Sequence, residues 1–237
     1  MMSVAVIIAA AGQGRRMKSA INKQYLNLSG RPVIAHTLSA CIAADCFTQI
    51  IVVVAPGEEE IFRRDVVFPW FPARKFFLVP GGKERQDSVR EGLAVLANNI
   101  EYVCIHDGAR PLVQPSLFRR CLTVAREKGG AIAAVAVKDT IKMANPQGEV
   151  IKTLPRHKLW AVQTPQIFRR DWLELAYRRA YQEGIQATDD AALLEAAGYP
   201  IQIVSADYEN IKITTPEDLL LAEAILRRRQ DENRHRL

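Results

Sequence analysis

Short apolar runs without polar alternation recur along the chain, and helical patterns separate most of them. Such strands are typical of a parallel sheet with both faces buried under helices. The predicted strands are residues 4–9, 49–55, 76–79, 102–106, 131–137 and 201–204. The predicted helices are residues 32–44, 87–97, 116–128, 171–183 and 189–197, with a last one entered at 215. The pattern predicts an α/β fold with a mostly parallel, doubly wound sheet.

The alternation breaks at about residue 138. From there to about 165 the sequence has Gly and Pro punctuation and partial polar alternation, which is typical of a projecting hairpin. Such a hairpin exposes its edges, and a second subunit is one way to cover them. The sequence has no internal repeat or linker, so we predict one domain over 1–237 with a β-arm at about 138–165.

The charge balance favours anionic partners. The 237 residues carry a net charge of +6, which suits nucleotides, phosphorylated metabolites or nucleic acid alike. The basic end, ILRRRQDENRHRL, has no interleaved aromatic residues, so we interpret it as cations at a helix C-terminus. We therefore expect no nucleic-acid partner.

The cysteines and the first apolar run bear on the compartment. The four cysteines form no CxxC pair and lie in apolar contexts, which indicates buried thiols in a reducing compartment. The first apolar run is too short to span a bilayer, and no basic residue precedes it. We expect a cytoplasmic protein with no membrane segment.

The stretch AAAGQGRRMK follows the first predicted strand, and in open parallel sheets ligands bind at the carboxyl ends of the strands. It lacks the closing GK[ST] of a P-loop and the third glycine of a dinucleotide fingerprint. Gly12 and Gly14 let the backbone approach a ligand, while Arg15, Arg16 and Lys23 supply charge for a polyphosphate. The alternative is a tight turn with solvated arginines.

A second glycine pair, at 81 and 82, follows the third strand in the stretch PGGKERQDSVREGL. Gly82 would again allow close approach to a ligand, and the Ser88 hydroxyl is placed to reach a base or ribose. Asp87 is the expected N-cap of the helix that follows. The cap and a nearby ligand are compatible.

A third candidate cluster is HDGARPLV, at the end of the fourth predicted strand. Asp107 is placed to hold a Mg²⁺ ion that bridges phosphates, although an isolated Asp at a strand end also forms turns. Arg110 can fork onto a phosphate. His106 is interpreted as structural, because a phosphate nucleophile needs no base.

Three weaker positions follow other strand or hairpin ends: Thr140, Thr188-Asp189 and Lys212. Thr188 also suits the N-cap of the next helix. Lys212 could equally be a surface lysine in an edge strand. Arg156 lies in the predicted arm and would be exposed in an isolated subunit.

These motifs, in this order and from about residue 3 to 227, resemble the 2-C-methyl-D-erythritol 4-phosphate cytidylyltransferases of the non-mevalonate isoprenoid pathway. The segments that carry the resemblance are AAAGQGRRM, KQYL, GGKERQDSV, HDGARPLV, VKDTIK, WAVQTPQ, TDDAALLE and NIKITTPEDL. The family implies a Rossmann-like nucleotidyltransferase fold and a homodimer formed through the arm. It also implies the joining of CTP and methylerythritol 4-phosphate with release of pyrophosphate.

The resemblance also implies roles for individual residues. Arg16 and Lys23 would be the catalytic cations, and Asp107 would hold Mg²⁺. The nucleotide would contact Ala10, Ala11, Gly12, Gly14, Gly82, Ser88 and Asp107. The sugar phosphate would contact Arg110, Thr188 and Lys212, with Thr140 and Arg156 reaching in from the partner subunit.

Two positions depart from the family pattern. Asn22 stands where the family usually has proline before the lysine, and Lys83 stands where some members carry an acid. Two other functions stay open on sequence alone. One is a cytidylyltransferase for ribitol 5-phosphate, and the other is a nucleotide-binding module without catalysis.

Overall fold

The structure is a computed structural model that describes residues 3–12, Gly14, Met17 and residues 22–234, with the side chain of Asn233 excepted. The strands are β1 (Ser3–Ala10), β2 (Asn27–Leu28), β3 (Arg31–Pro32), β4 (Gln49–Val54), β5 (Phe77–Pro80), β6 (Ile100–Asp107), β7 (Gly130–Ala136), β8 (Lys142–Ala144), β9 (Val150–Thr153), β10 (Trp160–Arg169) and β11 (Gln202–Ser205). The helices are α1 (Val33–Ala44), α2 (Glu59–Phe62), α3 (Phe68–Trp70), α4 (Arg85–Ala94), α5 (Pro115–Lys128), α6 (Arg170–Glu183), α7 (Asp190–Ala196) and α8 (Pro216–Arg234). Among these residues no helix is both long enough and apolar enough to cross a bilayer.

Seven strands form the central sheet, in the order β11-β7-β10-β6-β1-β4-β5. Every neighbouring pair is parallel except the two made by β10, which runs antiparallel to both β6 and β7. The prediction of a mostly parallel α/β sheet is confirmed. The antiparallel strand β10, third in this order, was not predicted.

Helices cover both faces of the sheet, as the uniformly apolar strands require. Along β1, Val4, Val6, Ile8 and Ala10 pack into a core with α1 and α5, while the alternate residues face the other side. There they pack with α4, α6 and α7 in a second core. Since a strand directs successive side chains to opposite faces, both sets must be apolar.

The projecting arm is shorter than predicted. Its hairpin consists of β8 and β9, which pair only with each other among the described strands. Residues 160–165, assigned from sequence to the arm, belong instead to β10 of the central sheet. Pro165 and the polar residues Gln163, Thr164 and Gln166 hide this strand, because they break the apolar run by which the other strands are recognised.

Two helix caps differ from the predicted ones. Helix α4 begins two residues earlier than predicted, with Glu84 as N-cap and Asp87 at the third position of a reciprocal capping box. The Glu84 backbone N–H donates to Asp87 Oδ2 at 3.1 Å. At α7 the cap is Asp189, whose side chain accepts from the Ala192 N–H, and Thr188 precedes it. In both cases an acidic neighbour competes successfully for the helix N–H groups.

Helical residues 59–70 were also missed by the prediction. They comprise α2, a π-helical stretch (Arg63–Val67) and α3. Pro69 and the exposed Phe68 and Trp70 obscure the helical periodicity of this segment. The start of α8 agrees with the sequence, because Asp218 accepts from the Thr215 N–H at 2.9 Å, just before Pro216.

Candidate active site

The parallel register brings the three predicted loops to one edge of the sheet. Ala9 of β1 lies opposite Asp107 of β6, and Ala10 lies opposite Val54 of β4. Val54 in turn lies opposite Pro80, which precedes the glycine pair. The loops after β1, β5 and β6 therefore leave the sheet side by side, as expected for a ligand site at the carboxyl ends of parallel strands.

Lys23 approaches the glycine loop after β1. It begins a turn of 3₁₀ helix (Lys23–Tyr25), and a Cβ added to Gly14 would lie 3.3 Å from the Lys23 side chain. Gly14 has φ 58°, a conformation that favours glycine, and its carbonyl accepts from the Met17 N–H at 2.8 Å. The predicted cations Arg15 and Arg16 lie outside the described residues.

Two side chains hold the Lys23 turn: Gln24, which the sequence did not single out, and Asn22, which it noted only as a departure from the family pattern. Gln24 is buried and donates from Nε2 to the Ala10 carbonyl oxygen at 2.7 Å, which ties the turn to the end of β1. Asn22 donates from Nδ2 to Glu58 Oε1, and Glu58 lies just before α2. Lys23 is thus flanked by two anchored residues.

The glycine pair after β5 lies in close contact with the loop after β1. A Cβ on Gly81 would lie 2.4 Å from Ala11 Cβ, so this crossing excludes a side chain at position 81. The Gly82 N–H donates to Ser88 Oγ at 3.2 Å, and that hydroxyl donates to the Glu84 carbonyl at 3.0 Å. Ser88 therefore shapes the loop here, and its contact with a nucleotide stays a prediction.

Asp107 is surrounded by three cations, two of which were predicted site residues. Its Oδ2 lies 3.1 Å from Arg110 Nε and 3.1 Å from Lys212 Nζ, and its Oδ1 lies 3.6 Å from Arg85 Nε. The carboxylate is almost completely buried. Burial alone would raise the pKa of Asp107, but Lys212, Arg110 and Arg85 together hold it well below its usual value. Asp107 is therefore ionised throughout the physiological range.

The alternative interpretation, which placed Lys212 in an edge strand, is wrong. Lys212 lies in an irregular segment before α8, which the Ile213 N–H ties to the Ala109 carbonyl at 2.8 Å. Arg110 donates from Nη1 to the Asn210 carbonyl at 2.6 Å. The loop after β6 and the segment 210–213 therefore hold each other beside Asp107.

The interior strand β10 contacts the site through Thr164, which the sequence did not reveal. The Asp107 N–H donates to Thr164 Oγ1 at 3.0 Å, and the same hydroxyl lies 3.0 Å from His106 Nδ1. Asn210 donates from Nδ2 to the Thr164 carbonyl at 2.9 Å. Burial lowers the pKa of His106 to about 3, so its ring is neutral at pH 7, consistent with a structural role.

Arg85 links this cluster to α7. Its guanidinium donates from Nη2 to Asp190 Oδ2 at 2.7 Å, and Asp190 is buried. The Tyr177 hydroxyl of α6 donates to the other oxygen of Asp190. Neither Arg85 nor Asp190 was predicted, because an arginine in a helical first turn and a second Asp after a capping Asp look like ordinary surface residues.

The remaining predicted residues are exposed. Thr140 and Arg156 lie on the arm, where Arg156 donates from Nη1 to the Lys138 carbonyl at 2.7 Å. Thr188 lies in the loop before α7. Within the described part of the chain, no recorded hydrogen bond or ion pair joins these three side chains to Asp107.

The carboxylate chemistry suits a metal ion that a substrate brings along. The described residues contain no group of three or more His, Cys, Asp or Glu that could hold a metal by themselves. Mg²⁺ is commonly bound by one or two carboxylates together with substrate phosphates. Asp107, ionised and beside the glycine loop, offers one such carboxylate.

Comparisons with known proteins agree with this geometry. Residues 4–228 match the family described as 2-C-methyl-D-erythritol 4-phosphate cytidylyltransferase. The enzyme of that name from Pelotomaculum thermopropionicum is 50% identical over 230 residues, covering 97% of each chain. The one from Geobacillus kaustophilus is 47% identical over 232 residues, covering 98% of this chain and 100% of the relative.

Solved structures give the same result. The 4-diphosphocytidyl-2C-methyl-D-erythritol synthase of Anaerococcus prevotii superposes with a TM-score of 0.83 at 30% identity, covering 95% of this chain and 98% of that one. The 2-C-methyl-D-erythritol 4-phosphate cytidylyltransferase of Thermus thermophilus gives a TM-score of 0.77 at 33% identity, covering 95% of this chain and 100% of that one. The chain belongs to the 2-C-methyl-D-erythritol 4-phosphate cytidylyltransferase family.

Proposed function

We propose that this protein joins CTP and 2-C-methyl-D-erythritol 4-phosphate to give 4-diphosphocytidyl-2-C-methyl-D-erythritol and pyrophosphate. The observation that carries the proposal is the ionised Asp107 among Arg85, Arg110 and Lys212, beside the glycine loop at the carboxyl edge of the sheet. Membership of the family agrees with this reaction.

The reaction is an in-line displacement. A phosphate oxygen of the acceptor attacks the α-phosphorus of CTP, the bond between the α-phosphorus and its bridging oxygen breaks, and pyrophosphate leaves with the electron pair. Both reactants are anions, so their approach is opposed by charge repulsion. Arg16 and Lys23 offset that repulsion and stabilise the charge that develops in the transition state.

The nucleotide lies across the two glycine loops. Backbone groups of Ala10 and Ala11, together with Gly82 and Ser88, line the base, and Gly12 and Gly14 face the triphosphate. A Mg²⁺ ion on the triphosphate supplies further charge neutralisation when bound, and Asp107 is the residue that would hold it.

The acceptor phosphate binds among Arg110, Lys212 and Thr188, and a second subunit completes its site with Thr140 and Arg156. The exposed arm supports such a homodimer. Its apolar residues Val150 and Ile151 remain 61% and 60% exposed, which is unusual for a hairpin with no covering partner.

The enzyme works in a reducing compartment, the cytoplasm, without a nucleic-acid partner. All four cysteines lie in the described part of the chain as free thiols, and burial raises the pKa of Cys41, Cys104 and Cys121. Thiols of this kind are inert packing groups.

The test is pyrophosphate release with Mg²⁺, using each of the four ribonucleoside triphosphates against methylerythritol 4-phosphate and ribitol 5-phosphate. We expect turnover only with CTP and methylerythritol 4-phosphate. Turnover with ribitol 5-phosphate instead would show that the proposed acceptor is wrong, while the proposed catalytic cations would stand. CTP binding without release would favour a binding module.

A further inference from the structure

Two consecutive residues of α4 grip the segment that precedes and opens α7. Arg85 pairs with the buried Asp190 at 2.7 Å. Gln86 donates from Nε2 to the Ile185 carbonyl at 3.2 Å and accepts from the Ala187 N–H at 3.2 Å. The segment 185–190 is thus held at both ends by the first turn of α4.

The opposite side of this segment is fixed to the sheet. Gln166 of β10 donates to Asp189 Oδ2 at 2.8 Å and accepts from the Ala191 N–H at 3.1 Å. Tyr177 of α6 donates to Asp190. Thr188 is therefore an exposed residue on a loop whose neighbours on both sides are fastened by side chains.

The same turn of α4 follows directly on the loop after β5. Only Lys83 and Glu84 separate Gly82 from Arg85, and Ser88 of this helix holds the Gly82 N–H. Arg85 also lies 3.6 Å from Asp107. A small movement of the loop around Gly82 would therefore be transmitted to Asp190 through the Arg85 side chain.

We propose that Arg85, Gln86 and Asp190 are positioning residues. They couple the conformation of segment 185–190, which carries Thr188 of the proposed acceptor site, to the conformation of the loop at Gly82, which lies in the proposed nucleotide site. The inference rests on the proposed function, because that function assigns the two sides to CTP and to the acceptor. CTP binding then orders Thr188 for the second substrate without touching it.

The charges of Asp190 and Asp107 explain why an arginine stands between them. The Arg85 side chain is 30% exposed and lies between two nearly buried carboxylates, with Asp190 1% and Asp107 7% exposed. Each buried carboxylate needs a cation, and a planar guanidinium can serve two partners from one position. Loss of the Asp190 charge would leave Arg85 directed at Asp107 alone.

The first test separates the two substrates kinetically. In Asp190→Asn, which keeps the side-chain shape, we expect the KM for methylerythritol 4-phosphate to rise by about 10- to 100-fold. We expect the Kd for CTP to stay within about twofold. Gln86→Ala should act in the same direction and more weakly, because it leaves no buried charge unpaired.

The matched control is Arg90→Ala. Arg90 lies on the same helix, and its guanidinium lies 4.8 Å from the Tyr181 ring centroid on α6 and pairs with Glu91. This variant should leave both constants unchanged. Equal changes in the acceptor KM for Arg90→Ala and Asp190→Asn would assign the effect to general loosening of α4 and overturn the proposal.

A second test needs no turnover. Hydrogen exchange of the Ala187 and Ala191 amides is measured in the whole protein with and without CTP. We expect CTP to increase protection at both amides in the native protein, and this increase to vanish in Asp190→Asn and to shrink in Tyr177→Phe. A native protein in which CTP gives no added protection overturns the inference.

The two tests also separate failure of the coupling from failure of the proposed function. CTP-dependent protection without turnover of methylerythritol 4-phosphate would refute the acceptor and keep the coupling. Turnover of that acceptor with an unchanged KM in Asp190→Asn would keep the function and refute the coupling.

Discussion

The surroundings of Asp107 and the β-arm differ in how they present charge. Around Asp107, three cations are already paired with a buried carboxylate, and each belongs to a different stretch of the same chain. On the arm, Thr140 and Arg156 are exposed, and Arg156 bonds only its own hairpin base among the described contacts. The first region is organised by contacts within the subunit, whereas the proposed function assigns the residues of the second to a neighbouring subunit.

The difference predicts that substitutions inside the subunit act within that subunit alone, while those on the arm act on a neighbour. With a site divided as proposed, we expect activity to require the dimer. Four experiments probe the contacts within the subunit and the proposed role of the arm, and the expected effect decreases from the first to the last.

Lys23→Ala should give the largest loss. Removing one preorganised cation from phosphoryl-transfer chemistry typically lowers kcat by roughly 10²–10³, and the KM for CTP should change little. The exposed Lys75 provides the control, and Lys75→Ala should be neutral. Near-normal kcat in Lys23→Ala would contradict a catalytic role for the subunit's own lysine.

Mixing two defective subunits tests the arm directly. Lys212→Ala and Arg156→Ala should each lower kcat/KM by roughly 10² through a misplaced acceptor. Co-expressed, they form hybrid dimers in which one of the two sites carries both intact residues. If Arg156 acts on the neighbour, activity recovers to about a quarter of the native value, since half of the dimers are hybrids with one good site.

The control for this experiment is co-expression of Lys212→Ala with Lys23→Ala. Both residues are proposed to act in their own subunit's site, so a hybrid site free of both defects can form only if one of the two residues crosses between subunits. Under the division proposed here, each hybrid site carries one of the two defects, and activity stays low. Recovery in this pair would place Lys23 or Lys212 across the interface.

Asp107 should govern stability in acid. Its pKa is held below the ordinary value in the folded state, so its contribution is full above the unfolded-state pKa and is lost as pH falls through that value towards the folded one. Asp107→Asn should be less stable at pH 7 and should lose less stability between about pH 5 and acid unfolding. Thermal melts across pH measure this.

Asp139→Asn, an exposed carboxylate at the base of the arm, is the comparison for that series. It should leave the acid limb of the stability curve as in the native protein. If stability fell with pH in Asp107→Asn as steeply as in the native protein, the three cations around Asp107 would not stabilise its charged form.

The smallest effect is expected at Asn22. It has φ −60°, within the range that proline imposes, and its side chain holds Glu58. Asn22→Ala should lower kcat by only a few-fold, since Gln24 still anchors the Lys23 turn. Asn22→Pro should retain more activity than Asn22→Ala because the ring stiffens the same backbone. Equal kcat values for the two variants would refute a bracing role.

The predictable parts of the fold are those that depend on the local pattern of apolar and polar residues. The buried strands β1, β4 and β6 are continuous apolar runs, and Asp107 stands out because a carboxylate ends one of them. Strand β10 was missed because its polar residues are matched by partners far away in sequence, such as Thr164 with Asp107. A polar strand of that kind carries no apolar signal.

The site divides in the same way. Gly82, Arg110 and Lys212 could be singled out because each follows a strand or a motif, and their contacts with substrates stay predictions. Arg85 and Glu58 were missed because their partners, Asp190 and Asn22, lie 105 and 36 residues away. Such pairings become visible only in the folded chain. Residues that position the site are therefore harder to predict than residues that face the substrates.

Strand β10 gives the arm a mechanical connection to the interior. It leaves the base of the hairpin at Trp160, enters the middle of the sheet, and reaches the hydroxyl that Asp107 bonds at Thr164. Four residue steps separate these points, a span of at most about 13 Å, and the pairing of β10 with β7 becomes irregular after Val162. A displacement at the base of the arm is therefore expected to reach the backbone of Asp107 along β10 and through Thr164.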